Sequence, residues 1–452
     1  MPTYAQSSFG QGGQTAVIND DAFEVTENPA QLINLPANLA VSIRALYFHT
    51  ETPGTFFEIA LNTNTLSLKD KNLINNYIPV NNYIPGQIAV ALRYYTVAWG
   101  ISYDIPENYQ YHMSIADKEN LFFFSHDNKT RLHQITFAGA VKINNSFSIG
   151  MNTRFIQGTI HINEKSSMHI ANSFIQVQND LTSSITGVGF SFAVFEELIM
   201  QNVEVGVIID TGNFINARMR GTFTQTNNIS ATNLYTIPIR EFDNYRQPPT
   251  ITLGISWFLG KTRLNSELIV STLLIRDEIH QDSIEWDNDS HTYTAPATAY
   301  EYRLTPNIKV GGEWKLFNKP EILFRTGIAT EFGNMKLPEQ PYTKADTYNV
   351  SQNIISYHIG FGIKIKKVII HCNGIGHYGM IWRVVEHTDI QNNTTTYQRR
   401  DTTMLGYGVG LAISYRPTII RKQPTHFTDP ISKEAHKNDK KDNTKKSKNE
   451  VE

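Results

Sequence analysis

Residues 404–415, MLGYGVGLAISY, alternate without a fault. Leu405, Tyr407, Val409, Leu411, Ile413 and Tyr415 are large and apolar or aromatic, while Gly406, Gly408, Gly410, Ala412 and Ser414 between them are small. A period of two places every large side chain on one face of a β-strand. In a soluble sandwich the opposite face would be polar or would pack on a second sheet, and glycine is too small to interdigitate. A strand greasy on one face and small or polar on the other suits a membrane barrel, with lipid outside and a wet lumen inside.

The same alternation recurs at Phe147, Ile149 and Met151, at Val188, Phe190, Phe192 and Val194, at Ile251, Leu253, Ile255 and Trp257, at Ile308, Val310 and Trp314, and from Tyr357 to Ile365. It predicts strands near 39–48, 87–95, 97–103, 133–143, 147–157, 186–195, 202–224, 249–258, 262–273, 306–316, 321–330, 355–365, 368–385 and 404–415. That makes fourteen, an even number, as bacterial single-chain barrels have. Connections after every second strand are short, such as NNS at 144–146 and FNKP at 317–320, and the others are long and polar, such as 104–132, 158–185 and 274–305. Strict alternation of long and short connections predicts an all-β, up-and-down antiparallel transmembrane barrel.

Composition narrows the function. A formal net charge of −2 gives no overall basic field for nucleic acid. Charged residues are 18 % and aromatics 11 %, with 21 Tyr and 24 Phe, which fits many strands with aromatic girdles. No run approaches the ~18 apolar residues of a spanning helix. The single cysteine, Cys372, precludes an internal disulfide framework. His371 and His377 lie near it, but no spacing matches a zinc site, and no metal, cofactor or catalytic residue is expected. Residues 1–38 are rich in Gly, Gln, Asn and Asp and lack a strand period, so they predict a separate segment before a barrel at 39–416. Residues 417–452 end KNDKKDNTKKSKNEVE and predict a disordered hydrophilic tail. The first residues, MPTYAQ, show neither the charged segment nor the apolar core of an export signal, so an outer-membrane location expects a signal that was removed or is absent from this sequence.

The segment from Ser7 to Leu32, SSFGQGGQTAVINDDAFEVTENPAQL, resembles the start of the FadL-like outer-membrane transporters of long-chain fatty acids and other hydrophobic compounds. The resemblance is carried by Gly10, Gly12 and Gly13, then Asp20-Asp21-Ala22, then Asn28-Pro29-Ala30. Thr305 to Asn334 is similar to a late hairpin of that family, and the pattern extends over residues 7–416. The family implies a fourteen-stranded barrel plugged by an N-terminal hatch. It implies capture of a hydrophobic small molecule by outer loops and lateral exit through a break in the wall. It implies a monomer in outer-membrane lipid, folded with the barrel-assembly machinery, with no enzyme chemistry. The other readings are a PorV-like structural or secretion-associated barrel, which also carries an Asn-Pro-Ala-type start, and an outer-membrane enzyme.

Within this frame Asn28-Pro29-Ala30 is expected where the hatch turns into the wall, since Pro29 fixes φ and biases Asn28 toward an extended form. Leu121, Phe122, Phe123 and Phe124 are expected in a long outer loop, where four consecutive large apolar residues are costly unless they face a ligand. Arg154 and Arg325 are expected to point into the lumen, where each could meet a ligand carboxylate or pair with a carboxylate of the wall. His358, Lys309 and Lys364 share that geometry.

Overall fold

The computed structural model describes residues 14–17, 21–35, 37–53, 77–116, 122–170, 173–198, 202–227, 235–246, 249–273, 286–287, 292–293, 303–318, 320–336, 349–389 and 394–417. Its strands are β1 (Leu39–Pro53), β2 (Tyr77–Tyr94), β3 (Val97–Ala116), β4 (Phe122–Lys142), β5 (Phe147–Ile170) and β6 (Ser173–Leu198). They continue with β7 (Val203–Asn227), β8 (Tyr235–Arg246), β9 (Thr250–Leu259) and β10 (Thr262–Leu273). A two-residue pair, β11 (Trp286–Asp287) and β12 (Thr292–Tyr293), stands apart from the main sheet. The last five are β13 (Arg303–Asn318), β14 (Glu321–Lys336), β15 (Asn349–Ile365), β16 (Val368–Asp389) and β17 (Thr394–Tyr415).

Every pairing in the main sheet joins sequence neighbours except three: β10 pairs with β13 across the segment that holds β11 and β12, and the other two close the barrel. β1 pairs antiparallel with β17 from Val41↔Tyr415 to Glu51↔Leu405. β7 pairs with β6 on one edge and, over Val203–Asp210, with β9 on the other. The result is a closed fourteen-stranded barrel, with β8 added to the far half of β7 over Phe214–Gln225. The fourteen expected strands are all present, and 202–224 falls in one strand, as expected.

Tight turns gather at one end of the barrel. Tyr95 and Lys366 take left-handed φ of 54° and Gly260 one of 64°, in two-residue turns that join β2 to β3, β15 to β16 and β9 to β10. Only glycine enters that region without a Cβ penalty, so Tyr95 and Lys366 are held there by the strands on either side. The apolar belt begins immediately beyond this end. Leu405, Tyr407, Val409, Leu411, Ile413 and Tyr415 are each about half exposed, whereas Gly408, Gly410, Ala412 and Ser414 are buried. The large residues therefore face out and the small ones face the lumen.

At the opposite end the expectation of long loops is corrected. Residues 104–116 continue β3, 122–132 belong to β4, 158–170 to β5 and 173–185 to β6. Hydrogen-bonded pairing simply runs on beyond the belt, where both faces of a strand meet water or protein and the apolar period no longer marks it. β8 was missed for the same reason. The segments 54–76 and 337–348, and the expected tail at 418–452, lie outside the described residues.

Candidate functional site

The lumen at the tight-turn end is filled by the chain's own start. Ala16, Val17, Ala22, Phe23, Val25, Ala30 and Leu32 are fully buried. Two 3₁₀ turns, Ala22–Val25 and Pro29–Asn34, give this hatch its shape. Asp21 caps the first by accepting from Phe23 N at 2.7 Å. Asn28 caps the second by accepting from Ala30 N, with Pro29 at the first helical position, where its missing N–H costs nothing. The side chains of Asn28 and Gln31 both donate to Ala16 O, at 2.6 and 3.0 Å, which ties the two described pieces of hatch together. Asn28-Pro29-Ala30 therefore sits inside the lumen and not at the join with the wall, which comes later at Leu39. Gly10, Gly12, Gly13 and Asp20 lie outside the described residues.

The wall is built to receive this segment. Ala40, Ala89, Ala91, Ala98, Ala138 and Ala140 turn small faces to Phe23, Val25, Leu32, Ile33 and Leu35. Burying these side chains stabilises the hatch by ~1.5–3 kcal/mol for each large one. Polar groups fix its position. Glu267 of β10 accepts from Thr15 N at 2.7 Å and Ala16 N at 2.8 Å, and Lys309 lies 3.3 Å from its other oxygen. Ser148 donates to Ala30 O, Asn152 to Val25 O and Thr26 O, and Arg93 to Ile33 O and Leu35 O. Arg44 of β1 stacks its guanidinium 3.8 Å from the centre of the Phe23 ring and bonds Glu27 at 3.2 Å, Asp104 at 3.1 Å and Gln87. Burial pushes the Glu27 carboxyl well above the usual carboxylate range, and the neighbouring Asp21 and Asp104 push the same way against the pull of Arg44.

Above this floor the lumen changes character. Leu46, Phe48, Ile84 and Ile105 of β1, β2 and β3 form one buried apolar cluster, with Ile375 of β16 against it. Leu132, Ile185 and Ile215 of β4, β6 and β7 form another, with Ile160 and Ala217 against it. Both occupy the face that carries Ser, Asn and Arg lower down. In β5 the large residues Phe147, Ile149, Met151 and Phe155 face out, and from Ile156 they face in, at Ile156 and Ile160, while Gln157 and Thr159 take the outside. β7 makes the same change at Phe214–Ile215. The phase of the period-two pattern slips by one residue, so the lumen above the hatch is lined with aliphatic groups.

One stretch of the wall is weakly paired. Between β2 and β3 the register passes from Asn82↔Tyr109 to Ile88↔Tyr103, with no pairing between 83–87 and 104–108 among the described residues. Pro85 and Pro106, which have no N–H, lie in this gap. Gly86 there has a left-handed φ of 65°, and a Cβ on it would meet nothing within 4 Å. Side chains substitute for the ladder, Asn108 donating to Tyr83 O and Gln87 to Ile105 O.

The expected site residues divide. Arg154 and Arg325 do face the lumen and are buried. Arg154 binds Asp210 at 2.7 Å and Ser191 at 2.9 Å, and Arg325 binds Glu313 and His371, each at 2.7 Å. Each guanidinium is thus held by a carboxylate of the wall, the second of the two pairings expected for it. Phe122, Phe123 and Phe124 open strand β4 instead of lying in a loop, a correction that follows from pairing Phe123↔Ser167 and Phe124↔Ser166. Phe123 is 38 % exposed, and Leu121 lies outside the described residues. The two lumenal clusters were missed. The signal that marks them is the phase slip at Phe155-Ile156 and Phe214-Ile215.

No protein-family model matches the sequence, and no curated protein matches it. The fold does have solved counterparts. The chain is similar to a FadL homologue of Pseudomonas aeruginosa, at 12 % identity over 92 % of this chain and 99 % of that one, with a TM-score of 0.58. It is similar to the toluene transporter TodX of Pseudomonas putida, at 9 % identity, the same coverage and a TM-score of 0.58. It is also similar to the toluene transporter TbuX of Ralstonia pickettii, at 13 % identity over 91 % and 98 % of the two chains, with a TM-score of 0.53. At these identities the likeness is one of fold, and this chain has the fold of those barrels.

Proposed function

We propose that this chain is a FadL-type channel of the bacterial outer membrane that passes hydrophobic small molecules by passive diffusion, as a monomer and without bond-making chemistry. The observation that supports this reading is a chain start buried within the barrel, with clusters of aliphatic side chains on the lumenal face beyond it. A polar solute gains nothing from such a lining, whereas an apolar one gains ~0.8 kcal/mol for each buried CH₂. The shared fold with two toluene transporters supports the substrate class. In this reading the Phe122–Phe124 end of β4 makes first contact, the two apolar clusters hold the ligand, and the weakly paired stretch between β2 and β3 gives it a sideways path to lipid.

The test is uptake of labelled toluene and oleate by cells carrying the protein at equal surface levels. Replacing Ile185 and Ile215 together with Ser should lower uptake at low substrate concentration about tenfold, because two aliphatic contacts are lost. Barrel assembly should be unchanged. Free passage of a small sugar, with neither apolar compound depending on the protein, would replace this reading with a general porin.

A further inference from the structure

The outer face of β4–β7 carries an ordered pattern beyond the belt. The last apolar row across the four strands is Ile135–Phe155–Val188–Phe214. The next outward row is His133–Gln157–Thr186–Asn216, in which the Tyr103 hydroxyl meets His133 Nδ1 at 2.6 Å. Then come Arg131–Thr159–Ser184–Arg218 and Lys129–His161–Thr182–Arg220. These two rows hold four permanent cations, three hydroxyls and a histidine, with no carboxylate. Arg131, Lys129, Arg218 and Arg220 are exposed. Among the described side chains of β4–β7 acidic groups enter in the following row, Asp127–Asn163–Asp180–Thr222, where Asp180 lies 3.7 Å from His161. A hollow of about 260 Å³ opens between the second cationic row and the acidic one, lined by Lys129, His161 and Lys165 together with Asp127 and the amides of Gln110 and Asn163.

Strand geometry sets the height. Arg131 lies four residues beyond Ile135 and Arg218 four beyond Phe214, about 13 Å along each strand and, at the ~40° tilt of barrel strands, ~10 Å of height. That distance spans a lipid headgroup above its acyl chains. Neighbouring strands lie ~4.8 Å apart, so flanking cations stand ~14 Å from each other with hydroxyls between, a spacing that long Arg and Lys side chains can close upon one charged group. Phosphate oxygens suit this set, since guanidinium groups bind them with paired hydrogen bonds and hydroxyls add donors.

We propose that this outward face of β4–β7 holds the phosphate-bearing headgroup of a glycolipid in the surrounding leaflet. The proposal rests on the reading of the barrel as an outer-membrane protein. Continuity with the apolar belt favours lipid, because a molecule bound here through its headgroup has its acyl chains against Ile135, Phe155, Val188 and Phe214. Clusters of basic residues next to a membrane-facing surface bind anionic lipid in this way.

The experiment measures lipid retained by the purified full chain in detergent, by native mass spectrometry, after exposure to lipid A, to dephosphorylated lipid A, or to inorganic phosphate. Lipid A should be retained in discrete copies and the dephosphorylated lipid at least about tenfold less. The variant K129Q/R131Q/R218Q/R220Q should lose the difference while keeping its heat-modifiable gel mobility, the sign of a folded barrel. Toluene uptake, measured on the same variant in cells, reports separately on the channel reading. Equal retention of both lipids, or no change in the variant, overturns the proposal. Binding of free phosphate as strong as that of lipid A also overturns it and marks a general anion site.

Discussion

Replacing Gly150 or Gly206 with valine is expected to convert a sealed barrel into a conducting one. A Cβ on Gly150 would collide with Pro29 C and Ala30 N, and one on Gly206 with Ala16 O. In each case the obstacle is hatch backbone, which cannot swing aside like the end of a side chain. The wall is fixed by pairing on both edges of β5 and β7, so the hatch is the part that yields. Single-channel recordings in planar bilayers should show a stable open conductance in both variants and none in the native protein. Gly376→Val is the control, since a Cβ there meets nothing within 4 Å. Silent valine variants, together with a silent deletion of residues 1–27, would mean that the hatch is not the barrier to ions.

Leu411→Arg is expected to cost ~2–4 kcal/mol of folding free energy, because it places a charge on the lipid face within the apolar belt. Leu411 is 51 % exposed, so no packing inside the protein is lost. The penalty therefore reports the surroundings and not the core. Thr159→Arg faces outward too, but two rows beyond the belt, and should cost ~0–1 kcal/mol. Urea titrations of folding into lipid vesicles give both values. Equal costs would contradict a lipid-facing belt.

How much of this was legible in the sequence follows from where each signal comes from. Within the belt one face meets lipid and the other the lumen, so alternation is strong, and strands such as 249–258 and 262–273 are found to within a few residues. Beyond the belt the faces exchange character at Phe155-Ile156 and Phe214-Ile215. One phase followed along β5 ends at the first of these, and so a loop is expected at 158–185. The hatch was found from a motif, but its anchors were not, because Glu267 and Thr15 are neighbours only in space. The partners of Arg154 were hidden in the same way, Asp210 lying 56 residues along the chain. Gly408 reads as a lumenal filler, yet its missing Cβ leaves room for Phe48 and Ile375 of the upper apolar cluster.

The anchoring of the hatch also has a consequence in time. Its contacts reach Ser42 of β1 at a separation of 20 residues, Ser148 of β5 at 118, and Asn265 and Glu267 of β10 at 251 and 252. Contacts so distant along the chain form slowly, since their loop-closure entropy is lost before they return any stabilisation. The hatch cannot finish docking until β10 is in place, and β10 lies in the second half of the wall. During biogenesis the wall is therefore expected to form ahead of its seal, leaving each newly made barrel a brief leaky interval.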